Sequence, residues 1–135
     1  MIFLDSWVWI EFFSEGSKWK EAEHIVSRLE NEKGIISSIV LMEIRYRFLR
    51  KFGTEKTDRV IHIIESFANL EIVPVTSGVA KYAADLRDKY YQKGNRELSY
   101  GDAIHLATAI LTGCETLYSG DVDFENIQEI NTEII

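Results

Sequence analysis

One cysteine, Cys114, and one proline, Pro74, are all that the 135 residues hold of either type. A lone cysteine excludes a disulfide framework, and without a cysteine pair a thiolate zinc site is a poor fit. Histidine is scarce too: His24, His62 and His105 lie far apart in the sequence. No apolar run approaches the ~18 residues of a membrane span. There is no P-loop, no Gly-x-Ser-x-Gly elbow and no Gly-x-Gly-x-x-Gly phosphate loop. Basic residues are outnumbered, 15 Lys and Arg against 22 Asp and Glu, for a net charge of −7. That balance argues against binding nucleic acid by bulk electrostatics alone. A nucleic-acid enzyme of this charge needs bound metal cations or a local basic patch. Met1 leads straight into Ile2-Phe3-Leu4, with no basic start and no small-residue cleavage pattern. No signal peptide is read there, and a cytoplasmic protein is the expectation.

What is present is an ordinary globular balance, 46% hydrophobic and 27% charged, long enough for one domain over residues 1–135. Met1 to Asp5 reads as a buried strand with a carboxylate at its end. Trp7 to Phe13 reads as a short helix. Its Trp9, Phe12 and Phe13 are either core or an exposed aromatic groove for a partner helix. Lys18 to Asn31 is amphipathic with helical spacing. Gly34-Ile35-Ile36 is a second strand, and Ser37-Ser38 offers the cap for a helix from Ile39 to Lys51. Thr54 caps a helix to about Phe67. Glu71 to Val75 is a third strand, which Pro74 places at an edge or a segment end. Ser77 caps a helix to about Lys93.

The stretch from Leu98 to Phe124 is the most informative. Ser99 is an N-cap, Asp102 stands three residues on, and Ala103, Leu106, Ala107 and Ile110 give a small-residue buried face. Gly113 ends the helix, Glu115 to Tyr118 is a strand, and Ser119-Gly120-Asp121 turns at its end. Ile127 to Ile135 reads as a last strand. Strands alternating with helices predict an α/β fold with a parallel sheet covered on both faces.

In such a sheet Asp5, Glu43, Asp102 and Asp121 fall on one edge, where ligands bind. Singly each has a local explanation: a cap for Asp5, a capping box for Asp102, a turn for Asp121, a solvated charge for Glu43. Together four acids repel and call for a cation, and oxygen-only ligands point to Mg²⁺ or Mn²⁺. His105, one turn after Asp102, reads as a packed or surface histidine. A basic run, Arg45, Arg47, Arg50 and Lys51, shares the helix of Glu43 and is read equally as a solvated face.

Asp5 after its strand, Ser37-Ser38 then Glu43, the helix start Asp102-Ala103-Ile104-His105-Leu106-Ala107 and the segment Ser119-Gly120-Asp121-Val122-Asp123-Phe124 resemble the PIN domain. More narrowly they resemble the toxin ribonucleases of VapBC toxin–antitoxin pairs. The resemblance spans the chain. It implies a three-layer α/β/α sandwich around a mainly parallel sheet, and Mg²⁺- or Mn²⁺-dependent cleavage of RNA. It also implies a homodimer and an antitoxin encoded beside the toxin. It makes Asp5, Glu43, Asp102 and Asp121 the catalytic quartet, with Asp5, Asp102 and Asp121 on the metal. Ser119 would orient a carboxylate or a water, and either Asp121 or Asp123 would lie nearer the metal. The rival from another class is a PIN-like module that binds RNA or protein without cutting. A haloacid-dehalogenase-type phosphatase is disfavoured because Trp7 stands where it needs a second aspartate.

Overall fold

Ile2–Leu4 forms β1, and all three of its residues are buried. In this computed structural model, which describes residues 1–135, β1 is paired on both sides in parallel. β2 is Gly34–Ser37, β3 is Leu70–Val73, β4 is Thr116–Ser119 and β5 is Asn131–Ile134. The sheet order is β3-β2-β1-β4-β5, with every pair parallel. Phe3 lies opposite Ile35 on one side and Leu117 on the other. Strands so enclosed must be apolar throughout, which is why β1 and β2 read as unbroken hydrophobic runs rather than alternating ones. β3 sits at an edge, and Pro74, which has no N–H to give, follows it directly.

Six helices cover the sheet: α1 Ser6–Ser14, α2 Trp19–Ser27, α3 Ser38–Phe52, α4 Thr54–Ser66, α5 Ser77–Tyr90 and α6 Tyr100–Leu111. The α1–α2 and α3–α4 crossovers move the chain one way along the sheet, and α5–α6 carries it back past β1. With right-handed connections, α5 and α6 therefore occupy the opposite face, giving three layers. The strand order reverses between β1 and β4, so a crevice opens at their carboxyl ends.

Local sequence explains most boundaries. Ser37 caps α3 through the Val40 N–H, and Ser99 caps α6 through the Asp102 N–H. Gly113, at φ 80°, supplies the left-handed turn after α6. Two caps differ from expectation. Thr76, not Ser77, caps α5, and α4 follows Gly53 with no side-chain cap from Thr54. In α1 the aromatics are mainly core. Trp9 is fully buried, stacked on Phe13 and edge-on to Phe67, and Phe12 packs edge-on to Phe13. Phe67, just after α4, covers Trp9, whereas Trp7, Phe12 and Phe13 stay half-buried.

Candidate active site

Asp5 ends β1, and its N–H bonds the Tyr118 carbonyl at 3.0 Å, extending the β1–β4 pairing by one step. It occupies the N-cap position of α1, yet its side chain caps nothing. Its Oδ2 instead accepts the Ser119 hydroxyl at 2.7 Å. Its Oδ1 is buried with no hydrogen-bond partner. Burial raises the Asp5 pKa above the usual carboxylate range, against the opposing pull of His105 and Ser119. A buried carboxylate oxygen left bare costs about 1–3 kcal/mol or more, so this position is held against its own stability.

Ser119 does two things. Besides donating to Asp5, its oxygen accepts the Asp121 N–H at 3.0 Å. Asp121 in turn takes the Asp123 N–H on Oδ1 at 2.9 Å and starts a short 3₁₀ turn, Val122–Phe124. Asp121 is thus both a turn residue and a lining residue of the acid cleft. Asp123 lines a separate polar cleft with Lys89, Tyr90 and Arg96.

Asp102 also has two roles. It completes a capping box, its Oδ2 accepting the Ser99 N–H at 3.3 Å. Its pKa is nonetheless pushed up to about 6, first by burial and then by the charges of Asp5 and Asp121, with the Ser99 N–H opposing. A helix cap alone would be drawn downward by the positive end of the helix. The upward shift therefore reports burial first and the company of Asp5 and Asp121 second.

Glu43, in the second turn of α3, is no solvated charge. Its Oε1 lies 2.5 Å from His105 Nε2. Gly101 passes close beneath, and a Cβ there would sit 3.2 Å from Glu43 Oε2. His105 itself is fully buried, with Nδ1 2.9 Å from the Ser37 hydroxyl and Nε2 3.8 Å from Asp5 Oδ1. Burial pulls its pKa down, but the bond to Glu43 and the charges of Asp5 and Asp102 outweigh that, and the net shift is upward. His105 is the residue that sequence reasoning undervalued. The available signal was its spacing: i+3 from Asp102 puts both on one helix face.

One cleft of about 240 Å³ collects these groups: Asp5, Glu43, Asp102 and Asp121 line it together with Ser6, Trp7, Ile10, Glu11 and Arg47. The structure brings all four predicted acids together, at the crevice where the strand order reverses. Asp5, Glu43 and His105 each offer a possible ligand atom, all within 4.8 Å of one another. His105 is the weakest donor of the three, because its Nε2 is committed to Glu43 and its raised pKa favours a proton there. The bare Asp5 Oδ1 and the elevated Asp102 fit a hard divalent cation held by carboxylate oxygens. No helix is long and apolar enough to cross a membrane.

A family model described as the PIN domain matches residues 2–130. No curated protein matches the chain. Among solved structures, VapBC2 from Rickettsia felis, bound to a DNA fragment from its promoter, is 24% identical. The match covers 98% of both chains at a TM-score of 0.76. Mycobacterium tuberculosis VapC20, described as a sarcin-ricin loop cleaving toxin, is 20% identical over 96% of this chain and 98% of its own, with a TM-score of 0.78. A toxin–antitoxin complex from Klebsiella pneumoniae is 24% identical over 100% of both chains, with a TM-score of 0.73.

Proposed function

The chain belongs to the PIN domain family, and from that premise we propose that it is a metal-dependent endoribonuclease, the toxin of a toxin–antitoxin pair. The observation that carries the reading is the buried Asp5 Oδ1, unpartnered in a cleft with four further carboxylates, Glu11, Glu43, Asp102 and Asp121. A scaffold that only binds has no need of such a repulsive cluster, which weighs against the non-catalytic module. The structural relatives support the biological role, since they include an RNA-loop-cleaving toxin and toxin–antitoxin complexes.

Asp5, Asp102 and Asp121 would hold Mg²⁺ or Mn²⁺, with Glu43 beside them. When bound, such a cation polarises a phosphodiester and lowers the pKa of a coordinated water. The chain's own groups prepare for this. Ser119 fixes the rotation of Asp5, and His105 fixes Glu43, as outer partners of metal-site carboxylates do. A carboxylate of Asp102 or Asp121 accepts the proton of the attacking water. Inverting attack on the phosphate leaves a 3′-hydroxyl and a 5′-phosphate. The partners are RNA, an antitoxin protein and a second copy of the chain, in the cytoplasm.

The test is hydrolysis of a single-stranded RNA by wild type, Asp5→Asn and Asp102→Asn, with Mg²⁺ or Mn²⁺ and with EDTA. Cleavage is expected only in wild type with metal. Undiminished cleavage in EDTA overturns the reading.

A further inference from the structure

A cleft lined by five carboxylates, Glu11 included, on a chain of net charge −7 repels the RNA it is proposed to cut. A bound cation would offset part of that, and the wall carries one positive charge of its own. Of the basic run on α3, Arg45 is tied to Asp58 at 2.8 Å. Arg47, one turn after Glu43, lines the acid cleft and is the only cationic residue that does. It makes no ion pair and no hydrogen bond of its own, although acids surround it; the histidine bridge engages Glu43 instead. An exposed, unengaged guanidinium beside carboxylates is available to a phosphate, which it can grip through two parallel N–H bonds.

Trp7 stands on the same wall, on the face of α1 that also carries Ile10 and Glu11. Its indole lies against the Gly120 backbone so closely that a Cβ at that position would fall 2.0 Å from Trp7 Cε2. Gly120 separates Ser119 from Asp121, so the ring is seated on the turn that shapes the acid site. Trp7 is partly exposed, whereas Trp9, two residues on, is fully buried. A partly exposed ring seated against backbone in the lining of the acid cleft is a platform on which a nucleobase can stack.

We propose that Trp7 and Arg47 form a nucleotide-positioning subsite of the cleft. Trp7 stacks one unpaired base and Arg47 holds a phosphate next to the bond to be cut. The inference rests on the ribonuclease reading and adds to it the two residues that would seat one nucleotide, an unpaired base being the one that can lie on Trp7.

The experiment uses a fluorescein-labelled single-stranded RNA oligonucleotide. Anisotropy is read at rising KCl in EDTA and in Ca²⁺, alongside initial rates with Mn²⁺. The proteins are wild type, Arg47→Gln, Arg47→Lys, Trp7→Ala and Trp7→Phe, with circular dichroism to confirm folding. Arg47→Gln is expected to raise Kd and KM about tenfold and to lower the salt slope by about one phosphate contact. Arg47→Lys should recover most of the salt slope but only part of the affinity. Trp7→Ala should weaken binding about tenfold, and Trp7→Phe, which keeps a stacking ring, should stay within about threefold of wild type. Active enzyme with unchanged Kd and KM in Arg47→Gln and Trp7→Ala overturns the subsite and leaves the ribonuclease standing. Wild type that binds through both residues without cutting overturns the ribonuclease and keeps the subsite. Wild type that neither binds nor cuts overturns both.

Discussion

His105 and Glu43 stand 62 positions apart in sequence and 2.5 Å apart in space. The contact joins α6 to α3 beneath the acid cleft, and Ser37 anchors the other side of the buried ring at 2.9 Å. Glu43 raises the His105 pKa, while burial lowers it. Glu43→Gln removes the charge and keeps the shape, so the His105 pKa is expected to fall. Imidazole NMR titration of the metal-free protein checks the direction. His105→Ala opens a cavity and strands Glu43, and should cost about 2–4 kcal/mol in urea unfolding. A cost under about 0.5 kcal/mol would show that the bridge is incidental.

The acids also set a pH dependence for the protein without metal. Asp102 sits at about 6 rather than 3.8, and Asp5 is raised as well. Between those values the folded chain holds protons that the unfolded chain has released, so stability falls as pH rises from about 4 to 6. His105 acts in the same sense. Its raised pKa contributes stability that is complete below the ordinary histidine value and is lost as pH climbs through the raised one. Thermal unfolding in EDTA is expected to show Tm falling steadily from pH 5 to pH 8. A rising Tm over that range would mean that the carboxylates do not share a field.

Asp102→Asn separates the residue's two roles. Asparagine can still accept the Ser99 N–H, so the capping box survives in outline. Loss of a charge at a helix start costs about 0.3–1 kcal/mol. Relief of repulsion from Asp5 and Asp121 acts the other way, so metal-free stability at neutral pH should rise or stay level. The mutant should also lose the stabilisation given by saturating Mn²⁺, about 2.7 kcal/mol at a hundredfold excess over Kd. A mutant weaker in EDTA, yet stabilised by Mn²⁺ as much as wild type, would reduce Asp102 to a cap.

Trp9 of α1 lies in the core, with Phe12 and Phe13 half-buried beside it. Of the six exposed large apolar side chains, Tyr100, Leu111 and Val122 lie elsewhere along the chain; Met42 and Tyr46 stand one turn apart on α3 at 59% and 66% exposure, with Ile63 on α4 at 43%. The proposed antitoxin is expected to cover that face. Co-purification of the neighbouring gene product should be lost with Met42→Asp and Tyr46→Asp together. Retention of the complex would place the partner elsewhere.

The strand and helix order, the parallel sheet and the convergence of the four acids were legible because each lies where local rules are strong. Asp5 closes an apolar strand, Asp102 follows a serine cap, and Asp121 follows a strand and a glycine. The neighbour of each acid was harder to read. His105 sits in an apolar helix among Ala103, Leu106 and Ala107, where a histidine looks like filler. Only the fold shows that Ser37 and Glu43 reach it. The α1 aromatics were ambiguous for the same reason, since Phe67, 58 positions after Trp9, is what covers Trp9. Local pattern reports which face of an element is apolar, and it cannot name what arrives to cover that face.

The bond from Ser119 to Asp5 spans 114 positions. A ribosome makes Asp5 long before Ser119, which follows only after β1, β2 and β3 have been threaded out. Until β4 slots in beside β1, Asp5 has neither its serine nor its neighbour Asp121, and the acid cluster does not exist. The carboxylate cluster is therefore completed only by the penultimate strand. A chain stopped before position 116 lacks Ser119 and Asp121 altogether. For a chain proposed to cut RNA, an unfinished copy carries no complete site.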